Sequence, residues 1–379
     1  MNNEQDVMLK LIKQSQFGSS EHISFDYIDS DDLYNEALHQ SVLGLVASEI
    51  PNEFSTDIWH KTLFRQKSCY IQYCHAQDEL KKLFVNADIP FVILKGNASA
   101  VYYRDPSLRM MGDIDLIVPS SYFDEANKLL TTSGYKWNHN TERHSSYKCD
   151  NLIIELHNRF SHEFDIEDYI VNGLNNIVIA SVEGYEFPML PRLANGLVLL
   201  DHMREHMKGA IGLRHIIDWM MYVYRNVDDN YWESEFKQVA QKNGMEVFAI
   251  HVTRMCQLYL GLTEEITWCN SADDKTCKTL LELILSTGNF GKKNGRGKSI
   301  ESVSTGIHRK GLFTWLQHVG EHNWGAYHKH SWLKPFCWLY QICRYINQIS
   351  KSGRKKNQLV EDLNRSKTRV NLLKKMEIF

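Results

Sequence analysis

The chain has 379 residues, a formal net charge of −3, 43% hydrophobic and 23% charged residues. That balance describes a globular protein with a substantial core, and the length suggests two or three structural units. It excludes a global positive field, so no long nucleic-acid track is expected, and no apolar run is long enough for a membrane span. Eight scattered cysteines without a CxxC pair read as reduced, mostly buried thiols. The polar start MNNEQDVMLK lacks the apolar run of a signal peptide, which makes a soluble, cytoplasmic protein the expectation.

Up to about residue 88 the pattern is helical: LYNEALHQSVLGLVASEI and FRQKSCYIQYCHAQDELKKLFVNA repeat apolar residues at three- and four-residue spacing. Asn86-Ala87-Asp88 and Pro90 break it. Three short apolar runs of strand length follow, FVILKG, GDIDLIV and NLIIELH, with a helical SSYFDEANKLLTTSGY closed by Gly134 between the last two. Beyond residue 190 the helical periodicity returns and continues into amphipathic C-terminal helices. The reading is a small α/β core over 89–165 between a helical region at 1–88 and another at 166–350, with a basic tail at 351–379.

The core runs carry unexpected charge. Asp113 and Asp115 stand two apart in GDIDLIV, so both point to one face of a strand, where like charges repel and burial is costly. In NLIIELH, Glu155 is again an acid in an apolar strand, and His157 shares its face. If the two strands are neighbours, three carboxylates converge into a hard-oxygen site suited to Mg²⁺ or Mn²⁺. Two such ions can clamp an in-line phosphoryl displacement. Upstream, LKGNASAVYY ends a strand at Lys95-Gly96 and opens a helix. Gly96 permits close approach of a ligand, helix N–H groups suit terminal phosphates, Asn97 and Ser99 add donors, and Lys95 and Arg109 add positive charge.

This order of motifs resembles the polymerase-β-like nucleotidyltransferase superfamily. LKGNASAVYYRDPSLRMMGDIDLIV followed by IIELH is more closely similar to the bacterial uncharacterised nucleotidyltransferase family, as is a downstream series of His202, His206, Leu213-Arg214 and Asp218. The resemblance implies an α+β fold, a small mixed β-sheet nucleotidyltransferase core flanked by N- and C-terminal helical regions. It also implies Mg²⁺-dependent (or Mn²⁺-dependent) transfer of a nucleoside monophosphate from a nucleoside triphosphate to an acceptor hydroxyl with release of pyrophosphate. Asp113 and Asp115 would hold both metals, Glu155 would complete the site and help activate the acceptor, and Gly96 with its neighbours would hold the β- and γ-phosphates. Asn97 stands where the superfamily usually has Gly or Ser. The active cleft is expected between the acid-bearing sheet edge and the C-terminal helices.

Other residues leave alternatives open. Arg109 either contacts phosphate or pairs with an acid to fix the loop before Asp113. His202 and His206, four apart on a helix, have a spacing that can ligate zinc, but HMREH lacks the order of HExxH and no third ligand is evident; they contact substrate, support the site, or form a polar helix face. Arg214 and Asp218 most simply form an intrahelical ion pair. FGKKNGRGKS ends like a P-loop, but Lys292 occupies the position of its first glycine and a helix-like segment precedes it, so an ATPase site is rejected; the 291–299 loop is a solvated linker or a cover for an anionic ligand. The basic tail either touches an anionic partner or is a solvated helix with a frayed end, and SWLKPFCWLYQICRYI reads as core. The acceptor is read as a small molecule, sugar or protein side chain. The rival functions are a catalytically silent NTP- or metabolite-binding module in a larger assembly and a toxin-type enzyme nucleotidylating tRNA or protein.

Overall fold

The computed structural model describes the chain except residues 142, 151, 162–163, 290–306, 308–310, 352–355 and 379, and except the side chains of 164, 348–351, 356–363 and 365. The 291–299 loop therefore lies outside the described residues.

Four N-terminal helices lead into the sheet: α1 (Asn3–Phe17), α2 (Ser30–Gln40), α3 (Leu43–Ala47) and α4 (Asp57–Asn86). Asn2 and Gln5 form a reciprocal capping box on α1, and the Asp29 carboxylate accepts two backbone N–H groups at the start of α2. In α4, Tyr70, Tyr73, Cys74, Gln77, Leu80 and Phe84 form one buried stripe at helical spacing. The helix stops where Asp88 takes a positive φ ahead of Pro90.

The sheet has seven strands in the order β3-β4-β5-β2-β1-β7-β6. Strands β1 (Val92–Leu94), β2 (Ile114–Ile117) and β5 (Leu152–His157) are the three apolar runs; the short α5 (Gly96–Ala100) and α6 (Phe123–Thr132) are the helices between them. The sheet is mixed: β1 and β2 are antiparallel, whereas β2 and β5 run parallel with Asp115 opposite Glu155 and Ile117 opposite His157. Two hairpins complete it. The first, β3 (Lys136–Asn140) with β4 (His144–Cys149), is largely polar and half exposed, so it lacks the apolar alternation that marks a strand. The second, β6 (Val178–Val182) with β7 (Tyr185–Met189), turns through Glu183-Gly184, both at positive φ. Its β7 pairs parallel with β1, so the sheet extends past residue 165 to Met189.

Period-two alternation divides the core between the two sheet faces. Ile93, Ile114, Leu116, Ile154 and Leu156 pack with Tyr70, Leu80 and Phe84 of α4 and Leu130 of α6. Val92, Leu94 and Ile117 join the larger core on the other face, with α7 (Phe164–Leu174), α8 (Arg192–Met207) and α9 (Leu213–Asn226). Asp115, Glu155 and His157 fall in register with Ile117, and so share this second face.

Two C-terminal expectations are corrected. Residues 366–378 are not a frayed end, because Val370, Leu372, Leu373, Met376 and Ile378 are buried and the helix Lys356–Lys375 packs on helix Asp274–Thr287. Apolar burial there outweighs the solvation of the basic side chains. Conversely, helices Leu312–Asn323 and Cys337–Lys351 pack on one another, with Trp315 stacked on Tyr345, while Trp332, Phe336, Leu339 and Ile346 stay exposed rather than forming core. All eight cysteines are free, five of them buried. No helix among the described residues is long and apolar enough to cross a membrane.

Candidate active site

A cavity of 200 Å³ lies between the β1–β2–β5 edge and helices α8 and α9. Its wall includes Lys95, Asp113, Asp115, Glu155, His206 and Arg214. Parallel pairing of β2 with β5 puts Asp115 beside Glu155, and Asp113 precedes β2 by one residue. Oxygens of the three carboxylates all lie within 4.8 Å of one another. A cluster of hard oxygens this tight fits a divalent cation, the donor chemistry Mg²⁺ and Mn²⁺ prefer.

Lys95 and, when protonated, His157 offset part of this charge. Lys95 Nζ lies 2.8 Å from Asp115 Oδ1, and His157 Nε2 lies 3.0 Å from the same oxygen and 3.6 Å from Glu155 Oε2. Burial opposes ionisation of Asp115, but Lys95 and the His157 hydrogen bond outweigh it and hold the carboxyl below its usual range. Burial likewise works against Glu155, and the His157 hydrogen bond reverses the direction. His157 is raised: burial lowers it, but its bonds to Asp115 and Glu155 prevail. Lys95 is also raised, since Asp115, Asp113 and Glu155 together outweigh its burial. The second face of β5 is extended by His144, whose Nε2 lies 3.8 Å from Glu155 Oε1.

The turn that presents Lys95 is conformationally expensive. Lys95 has φ 49° and ψ −140°, a combination L-residues avoid, and Gly96 follows at φ 41°. Such a residue costs about 1–3 kcal/mol and persists where its surroundings over-determine it. A Cβ on Gly96 would collide with the Tyr73 hydroxyl, which donates 3.1 Å to the Asp113 carbonyl. The glycine is therefore demanded by backbone conformation and by α4, in addition to lining the cavity.

Not every predicted residue faces the cavity. Asn97 is turned into α4, donating to Gln77 Oε1 at 3.1 Å and Cys74 Sγ at 3.4 Å, and Ser99 is fully buried in the short α5 away from the lining. Arg109 lines the cavity but is committed to Asp218, with Nε 2.7 Å and Nη2 2.8 Å from its two carboxylate oxygens. Tyr103 adds a third bond to that carboxylate at 2.7 Å. The expected intrahelical Arg214–Asp218 pair is thus replaced: Asp218 faces the loop before Asp113, where a planar guanidinium fits it bidentately. Arg214 instead bonds the Met110 carbonyl at 3.2 Å, and among the described residues no carboxylate pairs with it. Burial and the neighbouring Arg109 hold its pKa below the usual guanidinium range.

His202 and His206 also line the cavity, with their Nε2 atoms 3.0 Å apart. His215 at the start of α9 joins them, its ring centroid 5.0 Å from that of His202 and 4.6 Å from that of His206. Burial holds all three imidazoles toward the neutral form, His206 down to about 4. Sequence reasoning missed His215, Tyr73 and His144. His215 adjoins the noted Arg214; Tyr73 gave no signal beyond its place in the α4 stripe.

The acid pair at the start of β2, the third acid on the adjacent parallel strand β5 and the glycine turn before them keep the order of the motifs read from the sequence. The sequence signature of the uncharacterised nucleotidyltransferase family matches residues 26–261, and the chain belongs to that family. Nucleotidyl transfer is accordingly its general class of activity, with a nucleotide as substrate. Among solved structures, an antigenic nucleotidyltransferase-like protein from Paracoccidioides brasiliensis is similar at 14% identity and a TM-score of 0.32, over 50% of this chain and 92% of that one. No curated protein matches.

Proposed function

We propose that the protein is a Mg²⁺- or Mn²⁺-dependent enzyme that transfers a nucleoside monophosphate from a nucleoside triphosphate to a hydroxyl of a small-molecule, sugar or protein acceptor. The observation that carries this reading is the convergence of Asp113, Asp115 and Glu155 on one cavity that also holds Lys95 and Arg214. Asp113, Asp115 and Glu155 would hold the divalent cations, which when bound neutralise the triphosphate and lower the pKa of a coordinated hydroxyl.

The chain's own groups supply the rest. Arg214, half-buried without a carboxylate partner among the described residues, is the guanidinium available to a phosphate, whereas Arg109 serves to brace the loop. Lys95 can pass from Asp115 to a phosphate oxygen once Asp115 turns to a metal. Glu155 would accept the acceptor's proton as the new phosphorus–oxygen bond forms and the bond to pyrophosphate breaks. At 200 Å³ the cavity is below the range of about 300–1,000 Å³ usual for ligand sites, so it would hold the polyphosphate, with base and acceptor outside it.

A second reading is favoured by two contacts to one oxygen. Lys95 and His157 both bind Asp115 Oδ1, so the chain's own groups already occupy a ligand oxygen, as they would in a catalytically silent nucleotide-binding module. The toxin-type reading would use the 291–299 loop and the basic tail as its track, and no observation among the described residues favours it.

The test supplies each of the four labelled triphosphates with Mg²⁺ or Mn²⁺ and cell extract as acceptor pool. Label transferred to an extract component with pyrophosphate release, lost in Asp113→Ala/Asp115→Ala, supports the enzyme. Triphosphate binding with equal inertness of both proteins supports the silent module.

A further inference from the structure

We infer that His202, His206 and His215 form a binding site for a transition-metal ion of the zinc class, separate from the carboxylate site on the opposite wall of the cavity. HMREH supplies two imidazoles one helical turn apart on α8. The fold brings the third from α9, across the turn at 208–212, so that ring nitrogens of all three lie within 4.8 Å of one another.

The spacing is close to what such an ion requires. Zinc–nitrogen distances of about 2.0–2.1 Å in a tetrahedron place neighbouring nitrogens ~3.3 Å apart. The His202 and His206 Nε2 atoms stand at 3.0 Å, and His215 needs only a modest ring movement to complete the triangle. Three imidazoles without a thiolate or a fourth protein ligand are the donor set of an open site. All three line the cavity, which leaves the remaining coordination position toward it, where an anionic oxygen of a phosphate or acceptor can enter. Imidazole nitrogen suits zinc, cobalt or nickel, whereas Asp113, Asp115 and Glu155 suit Mg²⁺ or Mn²⁺, so the two walls select different ions. The cationic Lys95 and Arg214 oppose a further cation here; Asp113, on the same cavity, offsets them in part.

The inference concerns metal binding and stands independently of the proposed transfer reaction. Full-length protein stripped with a chelator is titrated with Co²⁺ alone and followed by visible absorption. One equivalent should produce the intense d–d band of a low-coordinate cobalt–imidazole centre, and Zn²⁺ should displace it. His202→Gln and His215→Gln should weaken binding on the order of 100-fold or more. Asp113→Asn/Asp115→Asn should keep the band. Should His215→Gln fail to fold, His215→Cys supplies the alternative, since retained binding with a new thiolate-to-cobalt charge-transfer band places residue 215 on the metal. Absence of the band in the wild type would overturn the inference, leaving a His202–His206 hydrogen bond with the His215 ring packed beside it. So would a band insensitive to the histidine changes, or one lost only with the aspartates.

Discussion

Arg109 and Asp218 are 109 positions apart in sequence and bound to each other through two parallel hydrogen bonds of 2.7 and 2.8 Å. The pair ties the segment that delivers Asp113 to the middle of α9. Both side chains are buried, and Tyr103 satisfies part of the remaining acceptor capacity of Asp218. Removing the arginine strands a buried carboxylate, which costs about 3–5 kcal/mol. Arg109→Met should lower unfolding stability by that order in a denaturant titration. Adding Asp218→Leu should recover much of the loss, since replacing both partners by apolar groups removes the uncompensated charge. A loss that the second substitution leaves untouched would count against this role.

Arg214 should behave in the opposite way. Its guanidinium bonds the Met110 carbonyl and, among the described residues, no carboxylate, so Arg214→Met strands no buried charge and stability should hold or rise. A charge-assisted hydrogen bond is worth about 1.5–3 kcal/mol, so affinity for a nucleoside triphosphate should fall roughly 10- to 100-fold, read by calorimetry. Equal triphosphate affinity in both proteins would remove Arg214 from the phosphate site.

The Lys95–Asp115 contact at 2.8 Å sets up a competition between an ammonium and a divalent ion for one oxygen. Without Mg²⁺, Lys95→Met should melt below wild type because three close carboxylates lose a counter-charge. With Mg²⁺ added, its gain in melting temperature should exceed that of wild type, and Asp115→Asn should abolish most of the gain in both. Ligand stabilisation of about 2.7 kcal/mol at 100-fold over Kd makes the effect easy to resolve.

Gly96→Ala combines two penalties, a positive φ costing about 1–2 kcal/mol and a collision with the Tyr73 hydroxyl. Tyr73→Phe removes the clash with the hydroxyl but leaves a tight 3.1 Å approach to the ring carbon Cζ, and it does not remove the backbone cost. The double variant should therefore be more stable than Gly96→Ala alone and still less stable than Tyr73→Phe. Thermal melts of the four proteins give both terms.

His157 links stability to pH. Its folded-state pKa is raised by Asp115 and Glu155 against burial, so the protonated ring contributes stability fully below the ordinary imidazole value of about 6.5. That contribution is lost as the pH rises through the higher folded-state value. Above about pH 6.5, metal-free wild type should lose stability more steeply than His157→Gln. Parallel pH profiles for the two proteins would show that the ring does not titrate between these carboxylates.

Much of the site was legible because the strands betray it. An acid is so out of place in ILI-type runs that Asp113, Asp115 and Glu155 stand out without any structure, and the alternation of a strand already puts Glu155 and His157 on one face. The hairpin at 136–149 was not legible, since its polar residues carry no periodic apolar signal. The β6–β7 hairpin did leave a clue in Glu183-Gly184, a pair suited to positive φ.

By itself the sequence determined the local chemistry: which runs are strands, which faces carry acids, and that two histidines share one side of α8. Only the tertiary structure decided partnership. The parallel pairing of β2 with β5 put Glu155 level with Asp115, the packing of α9 gave Asp218 to Arg109 instead of Arg214, and the same packing brought His215 to His202 and His206. Side-chain alternation is a property of a single strand or helix and can be read from residue spacing. Which charge meets which depends on long-range register and helix docking, which minimise buried uncompensated charge over the whole core at once.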